Sequence, residues 1–444
     1  MALHRGLQKK GFKLPTCEKH FHDYDETWLI LEGKGTAYWI TPVGEREEFE
    51  LQAGDVWMIP AGYEHGTDGF PGTGANTDDF TISVFTGTLP AGSHEPGHYY
   101  VEKEGYILSL ELRKTPTQRY ASATPSTIQA FVFPEKGRME IQELPFPECE
   151  PGMILCKSTY SGLTNGTERN ALVGGNYGRS WPSRPGYQNV GTVISTGDGV
   201  KDFKVGDTVF SGHHRKHSDY FTTPALADDL VVRLPDSVDP THAALFGVAS
   251  VAMHDVRRAD TRLGENVLVV GAGPVGQFTA QAARLSGAIV TICDLNESRL
   301  SIAAELGAHR TVPVTNEDAS WDAITEAGPF DVVFEDSGAD VFGHIIGQDW
   351  QQGVILTNSR VVVIAGRERV DYSFNAGQSH ELSIVQASHF DRDDLEQVCR
   401  LTAEGQLRVG PIIQDIVKAS QADTIYARLR DDPASLFGTV FNWS

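Results

Sequence analysis

The chain lacks most of what would take a protein into a membrane, onto nucleic acid or into a disulfide scaffold. It has no run of 18 apolar residues, so no segment reads as a membrane-spanning helix. Cysteine is scarce: Cys17, Cys149, Cys156, Cys293 and Cys399 are scattered, odd in number and form no CxxC pair. That argues against a disulfide framework and predicts a reducing, cytoplasmic setting. The opening 1-MALHRGLQKKGF-12 has charges but no long apolar core behind them, so no secretory leader is expected. Basic residues are in deficit, 37 Lys and Arg against 59 Asp and Glu, for a net charge of −22. This balance disfavours nucleic acid and anionic membrane surfaces as partners and leaves a small molecule as the expected one.

At 444 residues the chain is too long for one ordinary core, and two or three domains are expected. Residues 1–115 read as a β domain, with short strands at 27–31, 35–40, 47–51, 56–59, 80–85 and 106–112 between turn-forming residues. The polar, proline-bearing stretch at 116–128 reads as a linker. Residues 129–240 are again mostly β and punctuated by glycine. Over 241–390, short apolar strands at 267–270, 289–293, 332–335 and 361–365 alternate with helical stretches such as 276–286 and 297–306. Alternation of that kind predicts a parallel sheet.

Two sets of residues carry chemistry. The first is His20, His22, Glu26 and His65. Residues two apart in a strand face the same way, so His20 and His22 can meet one ion. Glu26 returns to the same place through a turn or bulge, and His65 arrives from another strand. Three imidazoles and a carboxylate suit one divalent transition metal: Zn, Fe, Mn, Ni or Co. The stretches 20-HFHDYDETWLILEG-33 and 54-GDVWMIPAGYEH-65 resemble the two motifs of the cupin superfamily. Leu14 and Gly69 stand where that family has a glycine and an asparagine. The resemblance implies a jelly-roll β-barrel around the metal, with Tyr24, Asp25, Trp39, Trp57, Tyr63 and Glu64 about its pocket.

The second set follows the apolar run 267–270. Gly271, Gly273 and Gly276 stand at GxGxxG spacing with Pro274 and Val275 between them. The first glycine permits a sharp turn, the second admits a pyrophosphate, and the third lets helix and strand approach. An anion then sits at the helix N-terminus. Asp294 ends the next strand, where a carboxylate accepts from a ribose 2′-hydroxyl and repels a 2′-phosphate; NAD(H) is therefore expected over NADP(H), with Arg299 as the one nearby residue that suits a phosphate.

The stretches 160-YSGLTNGTE-168, 184-RPGYQNVGTV-193, 202-DFKVGDTVF-210, 267-VLVVGAGPVGQ-277 and 361-VVVIAG-366 together resemble the medium-chain dehydrogenase/reductase family, of alcohol dehydrogenase type, over residues 128–444. The resemblance implies a GroES-like β domain, an inserted α/β Rossmann domain, and a C-terminal segment, 391–444, that returns to the first. In the zinc members a cysteine falls on Thr164, a His-Glu pair falls on Tyr187 and Gln188, and a cysteine-rich loop holds a second zinc that this chain lacks. Thr, Tyr and Gln are poor zinc ligands, so the resemblance is to the zinc-free branch and no zinc is expected in this half. Carbonyl polarisation then falls to side chains. Tyr187 is the leading hydrogen-bond donor, with Thr164, Glu168 and Gln188 beside it. His217, in 213-HHRKH-217, is a candidate for acid/base work or for anchoring an anion, against an ordinary exposed basic loop. His242, His254, His344, His380 and His389 show no partner pattern.

The whole is expected to be an NAD(H)-dependent oxidoreductase that interconverts a carbonyl and a secondary alcohol on a polyhydroxylated or cyclic small molecule. The first domain would catalyse a coupled isomerisation, epimerisation or dehydration, or would serve only in sensing or dimerisation. A non-enzymatic nucleotide sensor is a third reading. A homodimer is the expected assembly, by association with the two families alone.

Overall fold

In the computed structural model, residues 125–444 are described except 179, 215–216, 316–320 and 350–352. Of the first 124, residues 3–4, 20–22, 26–32, 34–41, 45–60, 63–68, 81–86 and 98–100 are described. The expected strand 106–112, the linker to residue 124, and Leu14, Tyr24, Asp25 and Gly69 lie outside the described residues. The chain divides into two compact units, Met1–Pro125 and Ser126–Ser444.

The first unit holds two antiparallel sheets. One runs Arg46–Gln52, Lys34–Ile40, Glu64–Asp68, His20–His22, His98–Tyr100; the other runs Leu3–His4, Thr81–Thr86, Glu26–Glu32, Val56–Ile59. Strand 56–59 shows why they hold: Val56 and Met58 are exposed while Trp57 and Ile59 are buried, the period-two alternation of a half-buried strand. Trp28, Ile30, Ala37, Leu51, Trp57 and Ile59 form the core between the faces. The expected closed barrel is not formed among the described residues. Closure requires hydrogen bonding to carry from one sheet into the next, and no described strand belongs to both ladders.

The second unit is a GroES-like β part joined to a Rossmann-like α/β part. Its mixed sheet uses β1 (Met153–Gly162), β2 (Asn189–Thr196), β3 (Thr208–Ser211), β4 (Tyr220–Pro224) and β5 (Val231–Arg233). Its parallel sheet uses β6 (Asn266–Val270), β7 (Ile289–Asp294), β8 (Arg310–Pro313), β9 (Phe330–Glu335), β10 (Ile355–Val363) and β11 (Ser383–Gln386), in spatial order β8-β7-β6-β9-β10-β11. Val267 and Val269 join one core cluster and Leu268 and Val270 another. Both faces of the central strand are therefore covered, which explains its unbroken apolar run. The chain ends on β12 (Ile413–Lys418) and β13 (Gly438–Asn442). β13 pairs with β1 through Tyr160–Asn442, Ser161–Phe441 and Gly162–Val440, so the last segment completes the mixed sheet.

The helices that position the site are α1 (Asn165–Leu172), α2 (Phe246–Arg258), α3 (Pro274–Leu285), α4 (Glu297–Glu305), α5 (Arg392–Ala403) and α6 (Ala422–Asp431). Asp391 caps α5 and forms a reciprocal box with Asp394. Among the described residues, no helix is long and apolar enough to cross a membrane.

Candidate active site

The second unit contains a cleft of about 1600 Å³. One wall is the turn between β6 and α3. Gly271 turns at φ +102°, a conformation that favours glycine. A Cβ on Gly276 would lie 1.9 Å from the Gly271 carbonyl oxygen, whereas one on Gly273 would meet nothing within 4 Å. The third glycine is thus needed for packing and the second leaves space for a ligand. α3 begins at Pro274 with no side-chain cap, so its first amides remain available to an anion. Asp294 accepts from the Ala272 N–H at 2.7 Å and the Asn296 N–H at 2.8 Å. Those bonds fix the carboxylate at the end of β7 and leave it lone pairs for ribose hydroxyls. Arg299 donates to the carbonyls of Ala434, at 2.9 Å, and Leu436, at 3.1 Å.

The opposite wall is a buried polar network. Gln188 is fully buried; its Nε2 donates to the Gly162 carbonyl at 3.2 Å and to Thr164 Oγ1 at 3.1 Å, and its Oε1 accepts from the Val248 N–H at 2.9 Å. It ties β1, α1 and α2 together. Glu168 Oε1 accepts from the Thr164 N–H at 2.8 Å and lies 3.2 Å from His217 Nε2, while Oε2 accepts from the Tyr426 hydroxyl of α6. His217 Nδ1 meets Ser161 Oγ at 2.8 Å. Both ring nitrogens of His217 are therefore engaged, and it is buried rather than on an exposed loop; residues 215 and 216 of its cluster lie outside the described residues. Thr164, Glu168 and Tyr187 line the cleft and His217 stands behind them.

Tyr187 is 6% exposed, and burial pushes its phenol well above the ordinary range despite a hydrogen bond to Thr164. At neutral pH it keeps its proton and acts as a donor. Its ring meets His389 edge-on at 5.2 Å and His214 at 5.6 Å, and those two imidazoles stack at 4.8 Å. Burial, then the neighbouring His214, push His389 down to about 4, so it is neutral at physiological pH. Its φ of +59° is uncommon away from glycine.

Sequence reasoning passed over His389 and also the acids Asp255 and Asp336, which line the same cleft. Burial, then Asp394, push Asp255 up to about 8. Burial, then Asp255, hold Asp336 well above the carboxylate range. Asp336 had a sequence signal, an acid closing the apolar run of β9 at the carboxyl edge of a parallel sheet, where α/β ligands bind. His389 had none, because only the fold brings its loop to Tyr187.

In the first unit, His65 Nε2 and Glu26 Oε2 lie 2.8 Å apart. The backbone of His20 pairs in register with His65. The expected cupin metal is not upheld. Among the described residues, the group that brings three potential ligands together is His254, Asp391 and Asp394, with one ligand atom from each within 4.8 Å of the others, and it lies in the second unit.

Comparison with known proteins agrees with the second unit's architecture. Residues 150–228 match the family model described as "Alcohol dehydrogenase GroES-like domain", and residues 274–404 match "Zinc-binding dehydrogenase"; both fall outside the first 125 residues. The 2-dehydro-3-deoxy-L-galactonate 5-dehydrogenase of Pseudoalteromonas atlantica is 27% identical over 291 residues, 59% of this chain and 83% of the relative. The sorbitol dehydrogenase of Mus musculus is 30% identical over 273 residues, 53% of this chain and 74% of the relative. A short chain alcohol dehydrogenase of E. coli CFT073, solved with NADH, aligns at a TM-score of 0.63 and 16% identity, over 72% of this chain and 100% of that one, which speaks to fold alone.

These findings correct the expectation of a zinc-free half. The matched family is zinc-binding, and the second unit holds the His254, Asp391 and Asp394 group. That group is apart from Thr164 and Gln188, which are bonded to each other as above. In it, Asp394 Oδ2 lies 2.7 Å from His254 Nδ1 and accepts from the Asp391 N–H at 3.0 Å, while Oδ1 pairs with Arg257. The departure from the family's zinc positions is real, but it tells about those positions alone.

Proposed function

We infer that this cleft carries out NAD(H)-dependent oxidoreduction of carbonyl or alcohol groups on small polyol- or sugar-like substrates, as a member of the zinc-binding, alcohol dehydrogenase-like family to which the chain belongs, and that Tyr187 is the group that meets the reacting oxygen. The observation that carries this reading is a buried phenol lining the same cleft as the glycine turn. When bound, the nicotinamide supplies or accepts the hydride. The protein's part is to orient the substrate and stabilise charge on its oxygen. Tyr187 donates to the oxygen as negative charge develops there, and Thr164, held by Gln188, fixes the phenol's direction. Glu168 and His217 keep α1 in place through bonds to Thr164, Ser161 and Tyr426.

NAD(H) is favoured over NADP(H) in this reading. Asp294 stands fixed beside the turn, and Arg299, the residue that suits a 2′-phosphate, is turned to the carbonyls of Ala434 and Leu436. Residues 1–115 are read as a cupin-type module for binding or assembly, supported by the two motifs and the antiparallel sheets. The coupled isomerisation or dehydration loses its basis with the metal.

A panel of polyols, keto-sugars and enones with NAD(H) and NADP(H) tests the assignment. Tyr187→Phe is expected to lower kcat by roughly 10²–10³-fold with little change in NADH affinity. A variant within a few-fold of the parent would remove Tyr187 from the chemistry. Deleting residues 1–125 is expected to change oligomeric state while leaving turnover; lost turnover in a folded truncate would contradict the module reading.

A further inference from the structure

In a chain with 59 acids against 37 Lys and Arg, arginines find carboxylates easily. Arg257 pairs with Asp394, Arg360 with Glu265, Arg367 with Glu335, and Arg408 with Glu305. Arg169 does not. It sits on α1 in the wall opposite the glycine turn, half-buried and lining the cleft. Its Nε is buried without a hydrogen-bond partner, and its guanidinium makes no ion pair with any described residue. Its neighbour Glu168 makes no ion pair with it, and that carboxylate is held instead by Thr164, His217 and Tyr426. A second guanidinium, that of Arg184, lines the same cleft. A half-buried cation without a counter-charge is costly unless a ligand supplies one. The guanidinium fork matches carboxylate and phosphate oxygens in pairs.

We propose that Arg169 holds an oxyanion, a carboxylate or phosphate group, of a molecule bound in the cleft. The inference rests on the reading of this cleft as the dehydrogenase site. Two sources can supply such a group: an acidic substituent on the substrate, or the cofactor's pyrophosphate. The first is favoured by position. The pyrophosphate already has the glycine turn and the uncapped N-terminus of α3, whereas Arg169 belongs to the wall that carries Thr164 and Tyr187. The substrate is then a hydroxy acid or a phosphorylated polyol rather than a neutral one.

The full-length parent, Arg169→Gln and Arg169→Lys are compared in two titrations. NADH affinity is read from nicotinamide fluorescence; inorganic phosphate and gluconate are then added to the NADH-saturated protein with the same readout. Arg169→Gln is expected to weaken anion binding by about 10- to 100-fold, the range for a hydrogen bond to a charged group, with NADH affinity unchanged. Arg169→Lys is expected between the two, because it keeps the charge and loses the fork. If NADH affinity falls by that factor instead, the oxyanion site stands and its source is the pyrophosphate. If neither titration moves in a Gln variant that binds NADH, the proposal is overturned. A parent protein that bound no NADH would overturn the dehydrogenase reading of the cleft, and this inference with it.

Discussion

On the glycine-turn wall of the cleft, proposed above for the nucleotide, the geometry is made by backbone. Gly271 turns at φ +102°, the α3 amides face the opening, and Asp294 is fixed by two main-chain N–H groups. On the mixed-sheet wall, side chains do it: Gln188, Thr164, Glu168 and His217 bond to one another and to Ser161, Tyr426 and Val248. A backbone site tolerates almost any side chain except where contact forbids one. A side-chain network tolerates almost no change, because each deletion strands a buried partner. The two walls are therefore expected to fail differently.

The largest effect on ligand binding is expected at the glycine-turn wall. A Cβ at position 276 would stand 1.9 Å from the Gly271 carbonyl oxygen, a backbone atom that cannot give way without moving the turn. Gly276→Ala is expected to weaken NADH binding by more than about 100-fold, measured by fluorescence titration on folded protein. Affinity within a few-fold of the parent would remove the difference between the walls. Glu168→Ala tests the other one. It leaves the Thr164 N–H, His217 and Tyr426 without their buried acceptor, at a cost of about 3–5 kcal/mol in folding stability. Urea unfolding checks this, and NADH affinity of the surviving folded fraction is expected to change little. Glu168→Gln keeps an acceptor and is expected to lose less.

That difference also governs what could be read from sequence. The geometry of the glycine-turn wall is legible in the sequence because its constraints are local: glycines at fixed spacing after an apolar strand, and an acid at the end of the next. Thr164, Tyr187 and Gln188 were found only as departures from a family pattern, and their mutual bonds span 24 residues between Gln188 and Thr164. His217 was located as a histidine but not as a buried one, since 213-HHRKH-217 is indistinguishable in sequence from an exposed loop. The His254, Asp391 and Asp394 group escaped altogether, because 140 residues separate His254 from Asp394. In the first unit, alternation predicted strands such as 56–59 well but carried no information on barrel closure, which depends on pairing between distant strands.

The smallest expected effect lies where the two walls meet, at Asp255. It is buried on α2 and lines the cleft. Burial, then Asp394, raise its folded value from 3.8 to about 8. The sign follows from linkage. The folded state holds the proton more tightly than the unfolded chain, so the stability this group contributes is fully present below the unfolded carboxyl range. It is lost as pH rises toward about 8, where the folded carboxyl ionises. Asp255→Asn removes the proton and with it the slope. The variant is expected to gain about 1–3 kcal/mol on the parent at pH 8 and almost nothing at pH 4, measured by urea unfolding at both. Asp336 feels Asp255, so the same substitution is expected to let Asp336 ionise more readily. A parent–variant difference that is the same at both pH values would mean that Asp255 is already ionised or solvated, and that the junction of the walls carries no stored proton.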